Sequence, residues 1–122
     1  MGGGSDVQRG LLVTAALLEA FDAQQGWVEL RNRGTSAVST QGLVLTANLR
    51  SALTRNVPAV QLGPGERVRF IAAQLQLAFA PQGELGLFDG KSVPGAIDVH
   101  FYGKLAAGRT EARSDDGDWQ IR

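Results

Sequence analysis

The sequence predicts an all-β fold built as a sandwich or barrel, and three observations carry that expectation. Turn signals recur at short intervals, at Asn32-Arg33-Gly34, Gln41-Gly42, Gly63-Pro64-Gly65, Pro81-Gln82-Gly83, Asp89-Gly90, Pro94-Gly95 and Asp116-Gly117. The short segments between them alternate apolar with polar residues, the mark of half-buried strands. No heptads, internal repeats or coiled-coil segments interrupt this pattern. Strands at such spacing, without intervening helices, stack as two facing layers or close into a barrel.

The elements follow in order. Residues 1–9 open with Met1-Gly2-Gly3-Gly4-Ser5 and read as a flexible linker or tag, which leaves 10–122 as a single domain. Val13 to Phe21 is rich in alanine and leucine and has local helix propensity. It is short and poorly capped, so a strand is expected there, with tertiary pairing overriding propensity. In Trp27 to Asn32, Val28 and Leu30 share one face, and Trp27, Glu29 and Arg31 the other. Leu43 to Thr46 and Val57 to Leu62 are the next strands. In Glu66 to Ala72, Val68 and Phe70 oppose Arg67 and Arg69. Glu84 to Asp89 follows, and in Ala96 to Tyr102 the residues Ile97, Val99 and Phe101 alternate with Asp98, His100 and Tyr102.

Composition narrows the function classes. The 122 residues suit one domain, which at that size buries roughly two-thirds of its unfolded surface. Cysteine is absent, which removes disulfides, thiolate metal sites and cysteine nucleophiles together. No segment approaches the run of about 20 apolar residues that a membrane helix requires, so no membrane insertion is expected. The short apolar run from Leu11 to Leu18, ended by Glu19, reads as part of a strand rather than as a signal peptide. Net charge is zero but uneven: residues 31–69 carry six arginines against Glu66 alone, a balance of +5, while the flanking stretches are acidic.

Gly26-Trp27-Val28-Glu29-Leu30-Arg31-Asn32 resembles the glycine, aromatic and asparagine-ended strand that opens the lamin tail domain family. The likeness continues in order through Gly42-Leu43-Val44-Leu45, through Leu62-Gly63-Pro64-Gly65 with the strand after it, and through Gly83 to Asp89. Ile97-Asp98-Val99 and the closing Gly108-Arg109 and Trp119 complete it. The resemblance implies an immunoglobulin-like β-sandwich of the lamin-tail type. It also implies a binding or structural-attachment module without catalytic residues or cofactor, similar to accessory domains of larger bacterial proteins at the cell surface or outside the cell. A protein partner is the expectation, with dimers through unpaired edge strands as a further one.

Individual residues divide between architecture and binding. Asn32 and Gly34 are expected to serve a turn, and Gly42 another; Pro64 and Gly65 fit the two central positions of a type II turn. Trp27 and Trp119 are expected to pack in the core or at its rim, although the face Trp27 shares with Glu29 and Arg31 also suits a partner anchor. His100 has no second ligand or serine elbow spaced for it and reads as a surface histidine. Gly86 to Ser92 is one residue short of a phosphate loop, and Pro94-Gly95 forbids the helix that must follow. Asp115, Asp116 and Asp118 lack EF-hand spacing and read as a solvated loop. Arg31, Arg33, Arg67 and Arg69 all face outward on this pattern. Brought together, with Trp27 beside them, they would hold carboxylate or phosphate groups. Nucleic acid or another polyanion is therefore the alternative partner, ranked second because the domain as a whole is not basic.

Overall fold

The computed structural model describes residues 16–50, 54–90, 96–104 and 108–122, and the expected linker at 1–9 and the start of the first strand lie outside them. The architecture is all-β. Eleven strands are described: β1 Ala16–Asp22, β2 Trp27–Asn32, β3 Val38–Ser39, β4 Val44–Thr46, β5 Arg55–Asn56, β6 Gln61–Leu62, β7 Arg67–Ile71, β8 Gly83–Phe88, β9 Ala96–Tyr102, β10 Glu111–Arg113 and β11 Trp119–Ile121. One turn of helix, α1 Ala72–Leu75, follows β7.

Two larger antiparallel sheets carry the chain. The five-stranded sheet has the order β11-β10-β1-β2-β7, the four-stranded sheet the order β9-β8-β4-β5, and β3 pairs with β6 in a small third sheet. One apolar cluster draws on both larger sheets. Ala16, Leu18, Phe21, Val28, Leu30 and Phe70 enter it from the first, and Leu45, Leu85, Leu87 and Tyr102 from the second. Within it the Phe21 ring lies 4.5 Å from Tyr102, and it packs edge-on against Phe79 at 5.1 Å between ring centroids.

The Ala/Leu-rich first segment is a strand, as expected, but a bulged one. Leu18 pairs with Leu30 and Ala20 with Glu29, so Glu19 is an extra residue on β1. A bulge of this kind turns a side chain that strict alternation would place elsewhere. Here it lets Leu18 and Phe21, three apart in sequence, both point into the core.

Turn chemistry follows the sequence closely. The Glu66 N–H donates to the Gly63 carbonyl at 3.0 Å across Pro64-Gly65, and Gly65 has φ +80°, the second central residue of a type II turn. Asn32 is fully buried. Its Oδ1 accepts from the Gly34 N–H at 2.9 Å, and its Nδ2 donates to Ser36 O at 2.8 Å and Leu62 O at 3.0 Å. Gly42 also takes a positive φ, and the Leu43 N–H closes its turn on the Thr40 carbonyl at 3.1 Å.

Two expectations are corrected. Val57 to Leu62 is not one strand: β5 ends at Asn56, β6 begins at Gln61, and the two belong to different sheets. Pro58 lies between them with no N–H for a ladder, and its carbonyl accepts the Thr40 hydroxyl at 2.7 Å. His100 is not on the surface. In β9 the residue Ile97 is the extra one of a second bulge, and Asp98, His100 and Tyr102 pair opposite Leu87, Leu85 and Gly83. His100 and Tyr102 are buried, while Phe101 is 71% exposed.

Candidate functional site

The outer face of the five-stranded sheet brings the four predicted arginines together. Antiparallel pairing sets Arg31 directly opposite Arg67 and Glu29 opposite Arg69, with Trp27 opposite Ile71. Side chains of directly opposed residues share a face, so Arg31, Arg67 and Arg69 necessarily lie on the side away from Val28, Leu30 and Phe70. Like charges opposed in this way repel. What holds them is Glu19, the bulged residue of β1, whose side chain is only 4% exposed.

Glu19 is shared by three cations. The Arg33 Nε donates to its Oε1 at 2.9 Å, and Arg31 Nη1 and Arg67 Nη2 stand 3.6 Å and 3.9 Å from its Oε2. Arg33 also donates through Nη2 to the Ser114 carbonyl at 3.0 Å, tying β2 to the β10–β11 turn. Arg69 leaves this group, stacking 3.6 Å over the Trp27 ring while its Nη2 lies 3.4 Å from Glu29 Oε2. A guanidinium held over an indole face and beside a carboxylate gains from both. Trp27 is thus rim packing beneath Arg69, and its Nε1 donates to Gln25 Oε1 at 3.3 Å.

Four guanidinium groups share two ion-paired carboxylates here, Glu19 and Glu29, while Asp115 and Asp116 stand at the Arg33 end of the face, so the unbalanced positive charge lies toward the β7 edge. The surplus is accessible, since Arg67 and Arg69 are each about half exposed. An open depression of about 480 Å³ lies at the Arg31 and Arg33 end of the face, lined by these two with Asn32, Gly34, Gly65 and Asp115. Planar forks with donors facing water beside such a hollow can take carboxylate or phosphate oxygens in pairs.

A second polar cluster fills the space between the two sheets at the β9 and β10 edge, and sequence reasoning missed it. The His100 Nε2–H donates to Glu111 Oε1 at 3.2 Å, and the imidazole stacks on Trp119 at 3.7 Å between centroids. Arg113 Nη2 donates to Asp98 Oδ2 at 2.6 Å, and the same oxygen accepts the Leu18 N–H at 2.9 Å. Burial pushes the His100 pKa below its ordinary value of 6.5 and outweighs the attraction of Glu111; Arg113 lowers it further, and Asp98 opposes. Burial also pushes the Tyr102 hydroxyl up to about 12, and that hydroxyl donates to the Ala80 carbonyl at 2.8 Å.

Trp119 therefore packs as expected, against a partner the sequence did not announce. The available signal was the alternation of Glu111 with Arg113, which puts both on one face; the pairing of Glu111 opposite Phe21 makes it the inner one. The aspartate-rich loop is a β10–β11 turn in which the Ser114 hydroxyl donates to Asp116 and Gly117 takes φ +93°. Among the described residues no group of three His, Asp or Glu side chains is placed to hold a metal ion, and no helix is long and apolar enough to cross a membrane. No protein-family model matches the chain, and no curated protein matches it.

Proposed function

We propose that this chain is a non-catalytic, lamin-tail-like module with an immunoglobulin-like sandwich fold, and that it attaches to an acidic protein partner through its arginine face. The observation that carries the reading is the charge surplus around Glu19: one buried carboxylate organises three guanidinium groups and neutralises only one. The order of the motifs from Gly26 to Trp119 supports the lamin-tail assignment. The two facing layers that share one core support the sandwich.

An acidic protein is preferred to a nucleic-acid duplex because the domain carries no net positive charge, and to a single strand because of Trp27. Sequence-tolerant binding of single strands relies on exposed aromatic rings for base stacking, and this ring is covered by Arg69. The test is titration of the domain with polyglutamate and, separately, with a short DNA duplex at two salt concentrations. The expected result is saturable polyglutamate binding that weakens with salt, disappears in the Arg67→Glu, Arg69→Glu double variant, and exceeds binding of the duplex. Tighter binding of the duplex, with a steep salt slope, replaces the acidic protein with a polyanion. Polyglutamate binding that the double variant leaves unchanged overturns the arginine face.

A further inference from the structure

We infer that the acidic partner joins this face as an added β-strand along β7, with carboxylates at alternate positions and apolar residues between them. The inference rests on the anionic-partner reading and specifies how the partner is held. In the five-stranded sheet β7 is an outermost strand, and among the described residues it pairs with β2 alone. Two bonds bracket that pairing: the Asn32 N–H donates to the Glu66 carbonyl at 2.9 Å, and the Ala72 N–H to the Gly26 carbonyl at 2.7 Å. In an antiparallel ladder, residues that exchange bonds with the neighbour alternate with residues that do not. The Glu66 carbonyl, Val68, Phe70 and the Ala72 N–H therefore face β2, and Arg67, Arg69 and Ile71 turn their backbone groups to the open edge. The Ile71 N–H is taken by Gln74 Oε1 at 2.9 Å. The edge is left with the backbone of Arg67 and Arg69.

The same two residues carry the exposed guanidinium groups. A strand that pairs antiparallel with β7 places the side chains opposite Arg67 and Arg69 on the arginine face, within reach of both. Carboxylates there find charge partners that Glu19 and Glu29 do not saturate. The residue between them falls opposite half-buried Val68, on the side of the sheet facing the core, and an apolar side chain fits. Backbone bonds supply affinity and alternate side chains supply selection, the usual division in strand addition.

A second copy of this chain does not fit. Pairing β7 with itself stacks arginine against arginine, a device that keeps edges from self-associating. Among the described strands none carries carboxylates at alternate positions: β8 has Glu84, β9 has Asp98, and β10 has Glu111 followed by Arg113.

The experiment uses the whole chain and three synthetic peptides with blocked ends: one alternating glutamate with valine, one N-methylated at the glutamates, and one N-methylated at the valines. Methylating the glutamate amides removes the donors that face β7, while methylating the valines removes donors on the far side. The expected result is that the unmodified and valine-methylated peptides bind alike and the glutamate-methylated peptide binds at least about tenfold more weakly. Exchange of the Arg67 and Arg69 amides slows on binding, while the Val68 and Phe70 amides, already bonded to β2, do not change. Equal binding of all three peptides, with no change at the Arg67 and Arg69 amides, overturns strand addition and leaves the arginine face as a purely electrostatic site. Failure of these peptides and of polyglutamate together overturns both readings. A peptide-independent dimer that protects the same amides shows that a second copy occupies the edge and also overturns the inference.

Discussion

Glu19 holds together charges that otherwise repel. Glu19 is buried but its three arginines are partly exposed, so removing its charge leaves cations that water can solvate, at a cost of about 1 to 2 kcal/mol. Glu19→Gln keeps the volume and removes the charge. We expect it to lower the unfolding free energy by that amount, read as a lower urea midpoint at unchanged slope, while removing one negative charge from the face and tightening polyglutamate binding several-fold. A variant as stable as the parent would show that the three arginines need no counter-ion. His100 makes a second prediction. Its folded pKa lies below 6.5, so the unfolded chain takes up a proton that the folded chain resists. Stability contributed by the neutral imidazole is present above pH about 6.5 and is lost as pH falls from there toward the folded pKa. His100→Gln retains a donor for Glu111 without the titration. Its melting temperature should fall less than the parent's between pH about 7.5 and about 5.5, and equal slopes would remove His100 as the cause.

Among the elements, the turns are the least replaceable parts. Gly90 follows β8 with φ +73°, and a Cβ built on it collides with the Gly42 carbonyl oxygen of the turn before β4. Two turns thus touch backbone to backbone, which a glycine permits and any side chain prevents. Gly90→Ala should cost about 2 kcal/mol or more, since it combines an unfavourable φ with a backbone clash; chemical denaturation measures this directly. A loss under about 0.5 kcal/mol, typical of a surface change, would mean that the two turns separate freely. The bulge at Glu19 is the corresponding device within a strand. It spends one residue of register, keeps Leu18 and Phe21 inward, and delivers a carboxylate to the outer face.

Across the whole molecule, one apolar cluster shared by both sheets couples distant edges. Trp27 sits on the β2–β7 side and Trp119 on the β10–β11 side, on different strands of one sheet. A single core predicts a single cooperative transition. Single-tryptophan variants, Trp27→Phe and Trp119→Phe, should report the same denaturation midpoint by fluorescence, and the midpoint by circular dichroism should match. An earlier transition seen only through Trp119 would show that the β10–β11 edge opens by itself.

The sequence by itself determined the all-β class, the turns at Asn32, Gly42 and Pro64-Gly65, and the outward direction of Arg31, Arg67 and Arg69. Each of these depends on local rules: a two-residue period, or the φ angles that glycine and proline permit. The tertiary structure alone decided that Arg31, Arg33 and Arg67 converge on Glu19 while Arg69 turns to Trp27 and Glu29, that Pro58 parts two strands into different sheets, and that His100 lies inside. These outcomes depend on register and on which layer covers a face, and single-residue bulges at Glu19 and Ile97 alter both. Alternation names two faces of β9 without saying which is buried. An imidazole becomes a core residue there because Glu111, brought from a strand eleven residues onward in the other sheet, offers it a hydrogen bond that water would otherwise supply.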